Sequence, residues 1–554
     1  MVALISPLRL RLPLVLTAVL ALAIPVVWAT PAFATDFSVP STNKADEAPG
    51  AGSCPGDVCT SLRAAVEAAN ANAGPDVIDL AMADIGAPFT LDGANGPLVV
   101  TEDLAINGID TDPTNGVVNG QGQTRVFEIR SGTVGFTNLA VVAGQLVATG
   151  GPEDGAGILN QGDLRLTNVV VGGNVLDTDA GTNGVRGAGI ANLGTLTLNQ
   201  SNITNNTMRG GGDELGAGVY NGDGATMTAT ASRLEENNSD ERGGGFDNDG
   251  GTVTLIDTDI ENNVASTEGG GFRNNGGIAS MTGGSITGNI AGHGGGLMND
   301  SGGTVTLSDV EISGNSANAS GDPFDASGGG VLNTGGGTLA ATGSDISSNS
   351  AGLGGGVANL GGSATLTSVA LDGNTAAAAG GVVNGAGTVE VIDSEVTANI
   401  SDGDAGGLVV AAVAGAAKLV VERTMVSGNS AAGLGGGLAA IDGGAATILA
   451  ATIVDNTPTD CATDNGTITD GGDSKDSDGT CVETNEGGGG GGGGGENGGT
   501  GDTTANGGVG PADTSDPATL PATGTSMPLK VTGLALIVVG GLLLALGRRH
   551  GALT

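Results

Sequence analysis

A glycine-opened unit recurs eleven times between residues 155 and 456, and nothing else in the sequence restricts the fold as strongly. The copies begin at Gly155, Gly187, Gly216, Gly243, Gly269, Gly294, Gly328, Gly354, Ala379, Ala405 and Gly435, at intervals of 25 to 34 residues. Self-similarity at such a period marks a solenoid, in which no unit buries its own apolar face and each does so against its neighbours. Copy 294–315 is representative: Gly-Gly-Gly-Leu-Met-Asn, then Thr304-Val305-Thr306-Leu307, then Val310 and Ile312 before Asn315. Val305 and Leu307 fall on one face and the two threonines on the other. Alternation of period two, rich in Val, Ile and Thr and punctuated by Gly, predicts strands and corners rather than helix. Three runs of three to five residues fit one rung of a parallel β-helix. The expected fold is all-β, a single parallel β-helix of roughly 12–14 rungs.

Two asparagine positions report the stacking. One closes every copy: Asn174, Asn206, Asn238, Asn263, Asn289, Asn315, Asn349, Asn374, Asn399, Asn429 and Asn456. The other lies near the opening of nine copies: Asn160, Asn192, Asn221, Asn248, Asn274, Asn299, Asn333, Asn359 and Asn384. Asparagine tolerates the left-handed backbone of tight corners. Stacked in register, each amide also reaches the next rung, about 4.8 Å away. The opening glycines permit positive φ and close backbone approach. Polar residues repeated this evenly are read as scaffold, not as ligands for anything outside the chain.

The ends of the 554-residue chain are built differently. Residues 1–34 carry Arg9 and Arg11, an apolar stretch over 14–27, and small residues Ala32 and Ala34 before Thr35, the pattern of a cleaved secretory signal. Residues 35–76 hold Cys54 and Cys59, then Ser61 as an N-cap for a short helix whose apolar face is Leu62, Ala65, Val66 and Ala69. Such a helix covers the open end of a solenoid core. Irregular strands at Pro97–Val100, Asp103–Gly108 and Thr124–Ile129 lead into the repeats, which with their C-terminal cap fill 77–485. Residues 486–519 include nine consecutive glycines and read as a flexible linker. Residues 520–554 comprise Leu520-Pro521-Ala522-Thr523-Gly524, an apolar stretch over 531–547 and the basic end Arg548-Arg549-His550.

That last arrangement resembles the LPxTG sorting signal of cell-wall-anchored surface proteins of Gram-positive bacteria. The resemblance implies that a sortase cuts between Thr523 and Gly524 and joins Thr523 to peptidoglycan. The apolar stretch would hold the chain in the membrane only until that cut, with the arginines on the cytoplasmic side. The segment from Cys59 through Leu62, Arg63 and Ala65 is similar to the Cys-Ser-Leu-Arg-Glu-Ala element that opens many secreted bacterial β-helix proteins, with Thr60 as an extra residue and Ala64 in place of the glutamate. The repeats resemble those of right-handed parallel β-helix proteins, which implies a right-handed coil. They also resemble the glycine-rich, Asn-ending repeats of chlamydial polymorphic outer-membrane adhesins, without any outer-membrane barrel.

Charge agrees with export. All 59 acidic residues lie between Thr35 and Thr523, while 5 of the 18 basic ones lie outside, so the exported part carries 13 − 59 = −46. Such a surface repels nucleic acid and anionic lipid. Four cysteines in an exported chain suit two bridges. Three pairings are possible, and the reading favours Cys54–Cys59 and Cys461–Cys481, one at each end. The second pair brackets an Asp- and Gly-rich stretch similar to the Cys-bounded ends of the same β-helix proteins.

Asp213, Glu214, Asp240, Glu241 and Glu268 fall at one corner in successive rungs. Stacked carboxylates are a speculative Ca²⁺ site, which needs six to eight oxygens; the plainer reading is a solvated edge. No catalytic residue is singled out and no other cofactor is implied. The rival class is a polysaccharide lyase or glycoside hydrolase, chemistries that β-helices also host, but fold alone does not decide this. Acid–base cleavage needs paired carboxylates together with sugar-binding surfaces. The one tryptophan, Trp28, leaves with the signal, Tyr220 is the single tyrosine, and His293 has no evident triad partner. The function expected is therefore that of a non-enzymatic surface protein, an adhesin for a glycan or protein ligand or a structural coat component.

Overall fold

In each copy the apolar alternation closes into one turn of a parallel β-solenoid of about 14 turns. The computed structural model describes residues 35–481 except 41, 43, 81–86, 149–152, 179–183, 211–213, 319–325 and 414. The signal segment 1–34, the linker 486–519 and the sorting signal 520–554 lie outside the described residues, as does Asp213. Among the described residues no helix is long and apolar enough to cross a membrane.

Copy 294–315 shows how a rung is made. Leu297–Asp300, Thr304–Ser308 and Glu311–Ser313 each lie between parallel strands of the rungs before and after. Leu297, Val305, Leu307 and Ile312 point inward and are buried. Among the described residues one continuous apolar cluster runs from Phe37 to Cys481, so the segment 35–481 carries a core that reaches both of its own ends. In-register stacking repeats side-chain types along the axis: Phe246 and Phe272 are cross-strand partners with ring centroids 4.5 Å apart. A fourth strand, two to four residues long, follows the closing asparagine. These pieces, from Gln145–Ala148 to Ser430–Ala431, form a separate sheet of 11 strands. They are too short for a periodicity to reveal, and only stacking makes them strands.

The closing asparagines form a ladder inside the molecule. Asn289 Nδ2 donates to Asn315 Oδ1 (3.0 Å) and to the Ile260 carbonyl (2.8 Å), while its backbone N–H donates to Asn315 Oδ1 (2.9 Å). Its own Oδ1 accepts the N–H and the Nδ2 of Asn263 at 2.8 and 3.0 Å. Every amide valence is thus used, which a fully buried asparagine requires. In one rung the member is Asn237, not Asn238: Asn206 donates to Asn237 Oδ1, and Asn238 instead begins the short fourth strand, exposed. The left-handed corner residue is also not the asparagine. It is the residue before it, such as Asn262, Gly288, Ser348 or Ala398 at φ 54°, 64°, 55° and 53°. The asparagine is selected for its amide and its neighbour for the turn. The second series, Asn160 to Asn384, forms a parallel ladder of its own, for example Asn248 Nδ2 to Asn274 Oδ1 at 2.7 Å.

The glycines serve these ladders. The first residue of each copy is left-handed, as at Gly269 (φ 65°). The third, Gly271, lies where a Cβ would meet the Gly296 carbonyl oxygen at 2.4 Å and Asn289 Nδ2 at 3.1 Å. Glycine is required there by contact, since backbone cannot move aside.

Both ends are closed. Helix α1 (Leu62–Ala71) is capped by Ser61, whose Oγ accepts from Ala64 N at 3.1 Å, and it buries Leu62, Ala65, Val66 and Ala69. Arg63, also buried, forks onto Asp46 (2.8 and 2.9 Å) and donates to the Pro97 and Gly96 carbonyls. Burial raises the Asp46 carboxyl, but the bonds from Arg63, Asp92 N and Asn95 outweigh it and hold the group below its ordinary range. Residues 36–39 are a strand paired in parallel with Asp76–Leu80. Cys54 pairs with Cys59 and Cys461 with Cys481. At the C-terminal end the asparagine ladder stops on Asp460, which accepts the N–H and Nδ2 of Asn456 at 3.1 and 3.0 Å, and the Cys461–Cys481 segment holds Asp460 through Ser477.

Candidate functional site

A polar cluster on the flank of the solenoid gathers five ion pairs among the described residues. Its base is the strand that opens each rung, where alternation sends the first and third residues inward and the middle one outward. In register the middle residues are Ala191, Tyr220, Asp247, Arg273, Met298 and Leu332. They face away from the main core, yet Tyr220 is 2% exposed, Asp247 0% and Arg273 6%.

Opposite charges alternate along this column and around it. Arg273 lies 3.3 Å from Asp247 Oδ2, 3.0 Å from Glu268 Oε2 and 3.9 Å from Asp300. Arg242 reaches Glu268 at 3.3 Å. Two rungs before Arg242, Arg186 forks onto Asp154 (2.8 and 2.9 Å), lies 5.0 Å above the Tyr220 ring and donates to its hydroxyl at 3.4 Å. The Tyr220 hydroxyl donates in turn to Asp249 Oδ2 at 3.1 Å. Burial, reinforced by Asp249, pushes the Tyr220 hydroxyl up to about 12 against the pull of Arg186. Burial likewise pushes the Asp247 carboxyl up to about 6, against Arg273. Among the described residues Asp247 Oδ1 accepts no hydrogen bond, which is consistent with that cost. A carboxyl near neutrality suits acid–base work in general, but this one is enclosed on all sides and out of a substrate's reach.

Among the described residues the corner carboxylates take separate partners and form no metal-type cluster. Asp213 is outside the described residues. Glu214 is fully buried and accepts from Thr178 Oγ1 at 3.2 Å. Asp240 accepts from Gly210 N at 3.2 Å. Glu241 carries the Thr267 N–H on its carbonyl, and Glu268 is the arginine-paired residue above. Among the described residues no three His, Cys, Asp or Glu side chains gather as metal ligands do. His293 sits at the same corner, in register with Glu268. Leu520, Pro521, Ala522, Thr523 and Gly524 lie outside the described residues.

Sequence reasoning missed Asp154, Arg186, Asp247 and Arg273. The signal was present at the residue between the opening apolar residue and Asn in each copy: a charge there in two consecutive copies, of opposite sign, marks a pair across rungs.

Beyond residue 331 the same column is apolar. Leu332, Ala358, Val383, Val409 and Ala439 follow in register and join Leu353, Ala405 and Ile441 in a second buried cluster. Neither half presents an aromatic platform: Tyr220 is enclosed, and Trp28 lies outside the described residues. Comparison of the chain with protein-family models, with curated proteins and with solved structures finds no match.

Proposed function

We propose that this chain is exported, joined to peptidoglycan through Thr523 by a sortase, and displays its β-solenoid as a non-enzymatic adhesin or structural component of a Gram-positive cell surface. The observation that carries the reading is the pairing of all four cysteines into two disulfides, one at each end of the solenoid. Such bonds persist in oxidising surroundings outside the cytoplasm. The second closes the last described rung, immediately before the glycine-rich stretch and the Leu-Pro-Ala-Thr-Gly motif. A rod capped at both ends and followed by a flexible tether is suited to presentation at a distance from the wall. The enclosure of Tyr220 and of the Asp247 carboxyl supports display over catalysis.

The test is expression in a sortase-bearing host of the intact chain and of Thr523→Ala. The intact chain is expected in the fraction released only by a peptidoglycan hydrolase, with wall-derived mass on Thr523, and the variant in membrane and medium. Equal release of both, or a wall-bound chain that keeps residues 524–554, overturns the anchoring.

A further inference from the structure

One exposed face of the solenoid is chemically unlike the rest of this acidic chain. It is formed by the second strand of seven successive rungs, Thr195–Asn199 through the 363–367 stretch of Val357–Thr367, paired in register throughout. Each rung turns three residues outward, and of these twenty-one positions fourteen are threonine, three serine and none charged. One column contains Thr195, Thr226, Thr252, Thr304 and Thr338; the next contains Thr197, Thr228, Thr254, Ser280 and Thr306. The hydroxyls stack from rung to rung, Thr226 to Thr195 at 3.3 Å and Ser280 to Thr254 at 3.5 Å. The non-hydroxylic members include Ile256 and Ile278, 38% and 55% exposed. The adjoining face, one corner away on the same rungs, carries Glu235, Asp259, Glu261, Glu311 and Asp345. Charge returns to the threonine face only at its ends, with Asp163 and Arg165 before it and Glu390 and Lys418 after it.

We infer that this face binds ice. Strand geometry places the hydroxyl–methyl pairs on a rectangular lattice of about 4.8 Å between rungs by about 6.6 Å along each strand. The oxygens of a prism plane of hexagonal ice repeat on a rectangle whose short edge is close to the rung spacing and whose long edge somewhat exceeds the two-residue strand repeat. β-Branching holds each threonine in few rotamers, so the array is set before contact. Water over the γ-methyls is orientationally restricted, and the hydroxyls hydrogen-bond it in fixed places. A charge would turn that water radially, which explains why the uncharged stretch coincides with the threonines in a chain whose exported part carries −46. The asparagine ladders inside the same rungs hold the strands in register against slippage, which keeps the lattice regular. The inference rests on the reading of the solenoid as a non-enzymatic display scaffold and names its ligand; it does not depend on wall anchoring, which is tested separately above.

The experiment uses residues 35–481, labelled fluorescently, and measures partition into slowly growing ice together with shaping of single ice crystals. The wild-type segment is expected to enter the ice and to facet the crystals. T228Y/T254Y/T306Y, which breaks the array on its solvent side, is expected to lose both effects. T287Y/S313Y/S347Y on the acidic face is expected to keep them. The single substitution T254K, a change of charge at a solvent position, gives the same loss if the larger triple variant proves unstable by circular dichroism. Exclusion of the folded wild-type segment from ice overturns the inference. So does loss from the acidic face instead of the threonine face, or retention on microcrystalline cellulose or chitin without retention on ice.

Discussion

Rungs before and after residue 331 share the same interior and differ on one outer column. Inside, both halves stack Val, Leu and Ile and continue one asparagine ladder to Asp460. Outside, the earlier half encloses Tyr220, Asp247 and Arg273, whereas the later half encloses Leu332, Val383 and Val409 at the equivalent strand positions. Two chemistries therefore fill one site on one scaffold. The interior is dictated by the shared core, while the flank accepts any set of side chains whose members satisfy one another.

Exchanging the two chemistries tests this comparison most severely. Val409→Asp places a lone carboxylate in the apolar half and is expected to cost about 5 kcal/mol, read from urea unfolding. A cost near zero would mean that the later column is open to water. Removing one partner in the charged half comes next: Arg273→Met strands Asp247 and Glu268 and should cost about 3–5 kcal/mol.

Replacing the pair together is expected to behave otherwise. Asp247→Val with Arg273→Val, which copies Val383 above Val409, should be neutral or stabilising by about 1 kcal/mol. A loss as large as that of Arg273→Met alone would show that Glu268 and Asp300 depend on the arginine more than Asp247 does.

The halves should also differ in pH response. Because burial holds the Asp247 carboxyl up, at about 6, the folded chain keeps a proton that the unfolded chain releases near pH 4. Stability from this group is complete below about pH 4 and declines as pH rises through about 6. Unfolding midpoints of Asp247→Asn should lose that decline. Asp46 works in the opposite direction, since its carboxyl is held low and its contribution disappears as the solution becomes acidic.

The smallest effect tests what the two halves share. Ala398 occupies the left-handed position before a ladder asparagine, exposed, where Gly373 and Gly428 occur in neighbouring rungs. Ala398→Gly should stabilise by about 0.5–1 kcal/mol, because the Cβ strain is relieved and no packing is lost. A destabilised variant would show that the gain in unfolded-chain entropy outweighs the strain.

The period, the two-residue alternation and the recurring Asn determined the solenoid and its rung boundaries, because these depend on a local pattern repeated many times, while the Ser61 cap and the apolar face behind it determined the helix at Leu62–Ala71. The cysteines were legible for a similar reason, since each pair brackets its own end of the chain. Three things required the tertiary structure. The ladder takes Asn237 and passes over Asn238, because register and not adjacency decides which amide meets the one below. The fourth strand exists only through stacking, for two residues carry no periodicity. The described corner carboxylates take separate partners, Glu214 with Thr178, Asp240 with the Gly210 N–H and Glu268 with Arg242 and Arg273, and the charged column lies at positions the alternation marks as outward. Whether an outward residue meets water or a covering corner depends on loops whose course the repeat does not specify. Sequence thus set the inside of the rod, where every rung obeys the same packing, and tertiary contacts set the outside, where each rung has its own neighbours.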